Sequence, residues 1–452
     1  MTNIKYVVLF VVKSIIWGIN MTLSQGKTQE QTVSIQSSPP PHKNRKTTIP
    51  ASVWMISLAS MLLTFSSSIV TTIGPVYLIE IHNIDAQDLG NLESVVEFVS
   101  QILRFLAGAL SDAIFQRKSL MLLGFGLSTI TKILFPLATS YALFFSVKVL
   151  DRVGNGMQAS PRDALLGDCA PKEIRGRSYG LSQTLRKLGA SGGSLVATLM
   201  LGSAVIAWAG YEGAFIVGFI VAIVPAIISV IFLAFFVHPP KHAYLKGWKA
   251  IPKFFHEFFN NMRYMGKPFW ILMLVIWFYG VAHFNESFLQ YRAKQLGAEA
   301  QVATMIIVVL TIVTSFAAYP LGLMADYIGK KKMVAVGILF MIISNLIMIR
   351  FSSITGLFVA TGFWGLHWAV TQGLLLSLIV DVSPKHLKGT AFGIYYVLFG
   401  LASYVANKYV AGPIWHTYGA DTNFMFSSII AVIAVIILSV ASKLKMFPKV
   451  YD

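Results

Sequence analysis

Residues 108–118 read Gly-Ala-Leu-Ser-Asp-Ala-Ile-Phe-Gln-Arg-Lys, and residues 322–332 read Gly-Leu-Met-Ala-Asp-Tyr-Ile-Gly-Lys-Lys-Lys. Each segment follows a long apolar run, carries an Asp four residues after a Gly, and ends in bases. The offset, from 108 to 322, is 214. A second motif repeats independently: Asp168-Cys-Ala-Pro171-Lys172 with Gly176 and Gly180 returns as Asp381-Val-Ser-Pro384-Lys385 with Gly389 and Gly393, an offset of 213 from 168 to 381. Two unrelated motifs at nearly one offset predict two halves of the same topology.

The material of those halves is apolar. The 452 residues are 56% hydrophobic and 12% charged, against about 25% charged in an average soluble protein. A bilayer core about 30 Å thick takes about 20 apolar residues per helix. That criterion predicts an all-α integral membrane protein with twelve transmembrane helices, at 52–79, 89–111, 119–138, 141–169, 178–207, 213–237, 268–291, 300–325, 333–350, 354–381, 389–413 and 423–442. The organisation expected is an N-terminal segment 1–50, a six-helix bundle 51–237, a basic linker 238–267, and a second six-helix bundle with a short tail 268–452. In the first segment, Ile4 to Trp17 is apolar but holds Lys13, and a polar Gln/Ser/Pro stretch follows to Pro39-Pro40-Pro41. A disordered tail, a cleaved signal peptide and an over-extended start upstream of Met21 all remain open there.

The net charge of +17 does not point to nucleic acid, because the bases sit in short gaps between apolar runs and not on one soluble face. Alternating the gaps gathers Arg117, Lys118, Lys172, Arg175, Arg177, the six bases from Lys241 to Lys267, Lys330 to Lys332, Lys385, Lys388, Lys443, Lys445 and Lys449 on one side. The other side keeps Arg292, Lys294 and Arg350. The positive-inside rule then places both termini and the linker in the cytoplasm, and a bacterial inner membrane is the expected location. The one cysteine, Cys169, excludes an internal disulfide and any multi-cysteine metal site.

Charges inside spans are expensive and mark function. The spans contain the bases Arg104, Lys132, Lys148, Arg152, Arg162, Arg186, Lys187 and Lys408, and the acids Glu93, Glu97, Asp151, Asp163 and Glu286. At 1.5 Å per residue, Arg104, Arg162, Asp163, Arg186 and Lys187 lie roughly 9 to 14 Å from the basic end and can form one cluster. Arg152 and Asp163 are eleven residues apart, three turns and nearly one face, and Asp151 and Arg162 share the adjacent face. In the seventh span His283, Glu286 and Gln290 follow at i, i+3 and i+7. Glu286 with His283 is the preferred proton-coupling pair, since a partly dry carboxyl and an imidazole can both exchange protons near neutral pH. A His and a Glu merely hydrogen-bonded near the rim is the plainer alternative. His367, flanked by Trp364 and Trp368, reads as a ligand-stacking position or a packed core histidine.

These residues resemble the major facilitator superfamily (MFS), over residues 51 to about 445. Gly108, Leu110, Asp112, Arg117 and Lys118 match its signature loop between helices two and three, Gly-x-Leu-Ala-Asp-Arg-x-Gly-Arg-Lys. The second copy keeps Gly322, Ala325, Asp326, Gly329, Lys330 and Lys331. Ala113 and Tyr327 stand where a base is usual. Arg152-Val-Gly-Asn-Gly156 is similar to the fourth-helix motif associated with proton transfer in proton-coupled members. Gly189-Ala-Ser-Gly192-Gly193 lacks the Gly-Pro of the drug-antiporter signature, and its Gly-x-x-x-Gly spacing reads as close helix packing. The resemblance implies a cavity lined by helices one, four, seven and ten.

Enzyme signatures fail. His256-Glu257-Phe-Phe-Asn260 misses the second His of a zinc motif, Gly154-Asn-Gly156-Met-Gln-Ala159 lacks the strand a dinucleotide fingerprint needs, and no Walker A segment occurs. The expectation is therefore no enzyme, no metal and no cofactor. What remains is a secondary active transporter, monomeric, working by alternating access on a small-molecule substrate with protons as coupling ion. The surplus of base over acid within the spans favours an organic anion, such as a carboxylate metabolite or a polycarboxylate, siderophore-like metal chelator. A multidrug exporter of lipophilic compounds, and a non-transporting receptor or scaffold, are the alternatives.

Overall fold

The computed structural model describes residues 48–114, 116–238, 250–384, 386–444 and 446–447. The N-terminal segment expected at 1–50 lies almost wholly outside the described residues, as do 239–249 of the expected linker. Among the described residues there is no β-strand. A bilayer demands this of a chain with no closed barrel, because hydrocarbon offers no hydrogen-bond partner and a helix satisfies its backbone within one segment.

The first half comprises α1 (Ala51–Ile81), α2 (Ala86–Ile114), α3 (Arg117–Leu134), α4 (Tyr141–Cys169), α5 (Arg175–Met200), the short α6 (Ser203–Ala209) and α7 (Tyr211–Ile231). A connecting helix α8 (Ala250–Asn261) follows. The second half comprises α9 (Lys267–Ala282), α10 (Ser287–Gln295), α11 (Ala300–Ile328), α12 (Lys330–Arg350), α13 (Ile354–Val382), α14 (Lys388–Val405), α15 (Gly412–Tyr418) and α16 (Ala420–Lys443), with a π turn at Ala406–Ala411 between α14 and α15.

Among the described residues, ten segments are long and apolar enough to cross a membrane, and α5 with α6 makes an eleventh that bends by 56° at its break. The twelfth is α4. Its 29 residues reach roughly 44 Å at 1.5 Å each, but Lys148, Asp151, Arg152, Arg162, Asp163 and Asp168 lower its hydropathy. It packs against α2 and α3, which is where such charges can be paired. Other helices show lipid the opposite character. On α3, Leu123, Ile130 and Ile133, continued by Leu137 of the turn after it, form one exposed apolar stripe, and on α16 Met425, Ile429, Val432, Ile436 and Val440 do the same. An apolar outer face is what a bilayer solvates best.

The two halves pack alike. In the first, α1 meets α5 and α7, α4 meets α2 and α3, and α3 meets α7. In the second, α9 meets α14 and α16, α13 meets α11 and α12, and α12 meets α16. The repeat offset of 213 recurs in details of the structure. Ser140 caps α4 by accepting from the Leu143 amide at 3.3 Å, and Ser353 caps α13 by accepting from Gly356 at 3.1 Å. A side-chain oxygen there satisfies one of the orphan amides of the first turn. Arg117 pairs with Asp168 at 2.5 Å, and Lys330 pairs with Asp381 at 2.7 Å. These pairs fasten the third span to the fourth and the ninth to the tenth, so both halves of the signature loop are anchored in the same way.

Candidate functional site

Two seams join the bundles, α2 against α14 and α15, and α5 against α11. At the end away from the basic loops both seams are closed. There a Cβ on Gly90 would lie 2.5 Å from the Asn407 carbonyl oxygen and 2.9 Å from Gly412 Cα, so only glycine allows that approach. Gln290 donates to the Thr72 carbonyl at 2.8 Å, His416 pairs with Asp85 at 3.1 Å, and Lys294 pairs with Glu80. Along the second seam Lys187 donates to the Thr314 carbonyl and Ser191 meets Ser315, both at 3.3 Å. Nearer the basic end, among the described residues, no hydrogen bond joins α5 to α11, and Phe316, Tyr319 and Tyr327 of α11 are 76–90% exposed. The α2–α14 seam stays packed further down, where Phe258 of α8 meets Phe105 with centroids 4.8 Å apart and the rings tilted by 44°.

The expected basic cluster forms, with one change. Arg162 Nε donates to Asp163 Oδ1 at 2.9 Å and its Nη1 reaches Gln158 Oε1 at 3.4 Å. Asp163 also interacts electrostatically with Arg186 and Arg104, and Arg104 lies over the Tyr396 ring, 5.7 Å from its centroid. Arg104 Nε and Arg186 Nε are buried without a hydrogen-bond partner. One guanidinium thus binds the Asp163 carboxylate directly and two more act on it electrostatically. Lys187 departs from the expected cluster: it is turned toward α11 of the other bundle.

The faces expected on the fourth helix divide differently. Asp151 faces α3, where Lys132 donates to it at 2.5 Å with both side chains 0–1% exposed. Thr131 and Asn155 add bonds at 3.0 and 3.1 Å. Arg152 lies 3.9 Å from the same carboxylate and its Nε has no partner. Sequence reasoning did not find these pairings, nor that of Lys148 with Glu93 at 2.6 Å. Their signal was present: a Lys and an acid on neighbouring spans, each too costly to bury alone.

The seventh span corrects a geometric expectation. His283, Glu286 and Gln290 do not share one helical face, because the helix stops at Ala282 and restarts at Ser287. His283 takes φ −88°, ψ 95° as the cap of α9. Asn285 causes the break: its amide donates to Asn407 Oδ1 and its own side chain accepts from the Ser287 amide, both at 2.9 Å. The break turns Ser287 to the other bundle, where its hydroxyl donates to Glu93 at 2.9 Å. Glu286 interacts across the seam with Glu97, Glu93 and Arg152.

His367 is fully buried, with Nε2 3.1 Å from the Tyr279 hydroxyl and Nδ1 3.1 Å from the Gly337 carbonyl. A carbonyl only accepts, so Nδ1 carries the proton of the neutral ring. His367 is thus packed, with both ring nitrogens engaged within the bundle. His283, 5% exposed, touches Trp364 and Trp368 with centroids 5.3 and 4.8 Å away, and its Nε2 is unpartnered.

Of the signature-loop residues, Gly108 lies where a Cβ would be 3.3 Å from Ser160 Oγ, Arg117 also donates to the Ala164 carbonyl at 3.0 Å, and Lys118 caps the Ala234 carbonyl at 2.8 Å. The Asp112 side chain lies outside the described residues. Gly322 has open space around it, and Asp326 and Lys330 line a cavity of about 750 Å³ with Asp381.

The profile of the Major Facilitator Superfamily matches residues 56–407 and 284–448. The chain belongs to that superfamily. It is a multi-pass membrane transporter and not an enzyme. An uncharacterized MFS-type transporter of Methanocaldococcus jannaschii is 26% identical over 399 residues, 85% of this chain and 94% of that protein. Among solved structures, a D-xylose–proton symporter superposes with a TM-score of 0.69 at 15% identity, covering 86% of this chain and 96% of that one. A bacterial homologue of the human lysosomal transporter Spinster, in an inward-facing and occupied conformation, gives 0.67 at 14% identity, covering 88% and 98%. These two likenesses concern the fold.

Proposed function

We propose that this transporter moves an organic anion, a carboxylate or polycarboxylate, in exchange with or together with protons. The observation that carries the reading is the gathering of Arg104, Arg162 and Arg186 around the single carboxylate of Asp163, with two guanidinium nitrogens left unpartnered. Uncompensated charge at membrane depth is costly, and a solute that brings negative charge relieves it. Glu286, which interacts electrostatically with Glu97, Glu93 and Arg152 across the seam, supplies the proton step. With no hydrogen bond joining α5 to α11 there among the described residues and Phe316 and Tyr319 exposed, we read the basic end as the open one, and the positive-inside rule supports a cytoplasmic face for it, with both termini there. We place the protein in a bacterial inner membrane, working as a monomer.

The test is flux into proteoliposomes with a trapped pH dye, adding organic acids, polycarboxylate chelators and lipophilic cations in turn. An acid pool is expected to shift internal pH. Arg186→Gln is expected to lower that flux at least tenfold, and Glu286→Gln to abolish the pH signal while anion counterflow persists. A response to lipophilic cations alone, or to nothing, refutes the reading.

A further inference from the structure

The second bundle holds a set of buried polar atoms that the folded chain leaves unused. His283 Nε2, Trp364 Nε1 and Trp368 Nε1 all lack a hydrogen-bond partner, although their rings pack together. Trp364 is 0% exposed and His283 5%. Buried indole N–H groups normally find an acceptor, and an orphan in a native structure asks for an explanation. The neighbouring His367 shows the contrast, since both its nitrogens are engaged within the bundle. Three orphans on three touching rings describe a subsite for something with acceptor oxygens and a flat apolar body.

A cation stands nearby. Arg152 interacts electrostatically with Glu286 of the other bundle, three residues after His283, and its own Nε is also unpartnered. The salt link to Asp151 is long, 3.9 Å, because Lys132 already occupies that carboxylate. Arg152 is thus a guanidinium whose nominal counter-ion is spent elsewhere.

From this subsite a series of rings leads toward the open basic end. Tyr279 stands 5.8 Å from His283 and stacks on Phe399 at 6.2 Å. Phe399 stacks on Tyr395 at 5.7 Å, Tyr395 adjoins Tyr396 at 5.2 Å, and Tyr396 underlies Arg104. The arginine cluster and the orphaned nitrogens are therefore the two ends of one aromatic wall.

We propose that the solute is a planar aromatic carboxylate carrying a second oxygen acceptor. Its ring lies against Trp368 and His283, its acceptor oxygen takes the orphan N–H groups, and its carboxylate meets Arg152 after entering past Arg104 and Arg186. The proposal rests on the organic-anion reading and narrows it.

Three acids separate the two: 4-hydroxybenzoate, cyclohexanecarboxylate of similar size with a saturated ring and no hydroxyl, and aliphatic succinate. The protein in proteoliposomes is expected to transport 4-hydroxybenzoate at least tenfold faster than cyclohexanecarboxylate. In detergent the same acid is expected to quench tryptophan fluorescence. Trp368→Leu is expected to remove the preference at least tenfold, and Trp368→Phe to restore part of it, since phenyl stacks but donates nothing. Equal handling of the two ring acids overturns the proposal, as does flux of succinate without 4-hydroxybenzoate; both leave the organic-anion reading standing. Absence of flux and of quenching with all three acids, from wild-type protein that is monodisperse, overturns the proposal and the reading beneath it.

Discussion

Lys132 and Asp151 form an ion pair 2.5 Å long at 0% and 1% exposure, in the first bundle and behind Arg152, which lies 3.9 Å from the same carboxylate. Breaking a buried pair from one side costs about 3–5 kcal/mol, because the survivor is an uncompensated charge. The two survivors here are not equal. After Lys132→Met, Asp151 keeps the Thr131 hydroxyl, the Asn155 amide and Arg152 at 3.9 Å, so the loss falls near about 3 kcal/mol. After Asp151→Asn, the Lys132 ammonium keeps the Phe135 ring at 5.7 Å and no counter-charge from Asp151, so the loss approaches about 5 kcal/mol. At about 1.4 kcal/mol per decade these are shifts of roughly 150-fold and several thousand-fold in the unfolding equilibrium. The double variant removes both charges and keeps the polar contacts of residue 151. It is expected within about 1 kcal/mol of wild type, a large departure from additivity. Reversible SDS unfolding in mixed micelles, followed by tryptophan emission, measures all four proteins. The reasoning is refuted if Asp151→Asn proves milder than Lys132→Met, or if the double variant is as unstable as the worse single.

The closed end offers a second prediction. Glu80→Gln with Asp85→Asn removes two inter-bundle ion pairs, Lys294–Glu80, largely buried, and His416–Asp85, half exposed and worth at most about 1 kcal/mol. In a Cys169→Ser background, spin labels at Tyr211 and Tyr418, both exposed near that end, are expected to report a larger population of long distances. An unchanged distribution means the pairs do not hold the seam. Helix packing supplies a third. A Cβ at Gly193 would lie 2.2 Å from the Phe65 carbonyl oxygen, whereas one at Gly322 meets nothing within 4 Å. Gly193→Ala is expected to destabilise by about 1–3 kcal/mol, the usual range for overpacking, and Gly322→Ala to leave melting unchanged; equal melting points contradict the close approach of α1 and α5.

The fold was legible because lipid imposes simple rules. Apolar blocks of spanning length, a strong bias of bases to one side, and two motifs repeating at 213 and 214 led to twelve spans in two equivalent halves. The repeat reaches further than those motifs, since Ser140 and Ser353 cap the fourth and tenth spans at the same offset. The site was legible only in part. Depth along a helix could bring Arg104, Arg162, Asp163 and Arg186 together, because depth follows from residue count. Partners across helices could not be read that way. Asp151 and Arg162 lie nearly on one helical face, yet Asp151 turns to Lys132 because α3 offers a buried ammonium there. The break at 283–286 escaped for a similar reason. A helical period through His283, Glu286 and Gln290 is real in the sequence, but Asn407, 122 residues away, captures the Asn285 amide and ends the helix. The local sign was Asn285 itself, since asparagine side chains readily bond the backbone two residues on.

The two halves share a topology but not a chemistry, and that difference bears on how closure is coupled to solute. The first bundle brings charge to the seam, as Glu93, Glu97, Arg104, Arg152, Arg162 and Arg186. Below the closed end, where its Lys294 and His416 pair with the first bundle, the second brings mainly rings and one acid, as Tyr279, His283, Trp364, Trp368, Tyr396 and Glu286. On the proposed reading α5 closes on α11 at the basic end, and Arg186, already partly buried, is enclosed further among apolar and aromatic side chains. A cation can rest on an aromatic face, but three guanidinium groups with one carboxylate leave positive charge that rings alone offset weakly. An anion in the seam changes the balance, because it enters the same low-dielectric space as the charges it neutralises, where each contact counts for more than in water. On the proposed reading, the loaded carrier closes and the empty one does not unless Glu286 and its neighbours first adjust their proton. The asymmetry of side chains on a symmetric scaffold is then what ties movement of the halves to the presence of cargo.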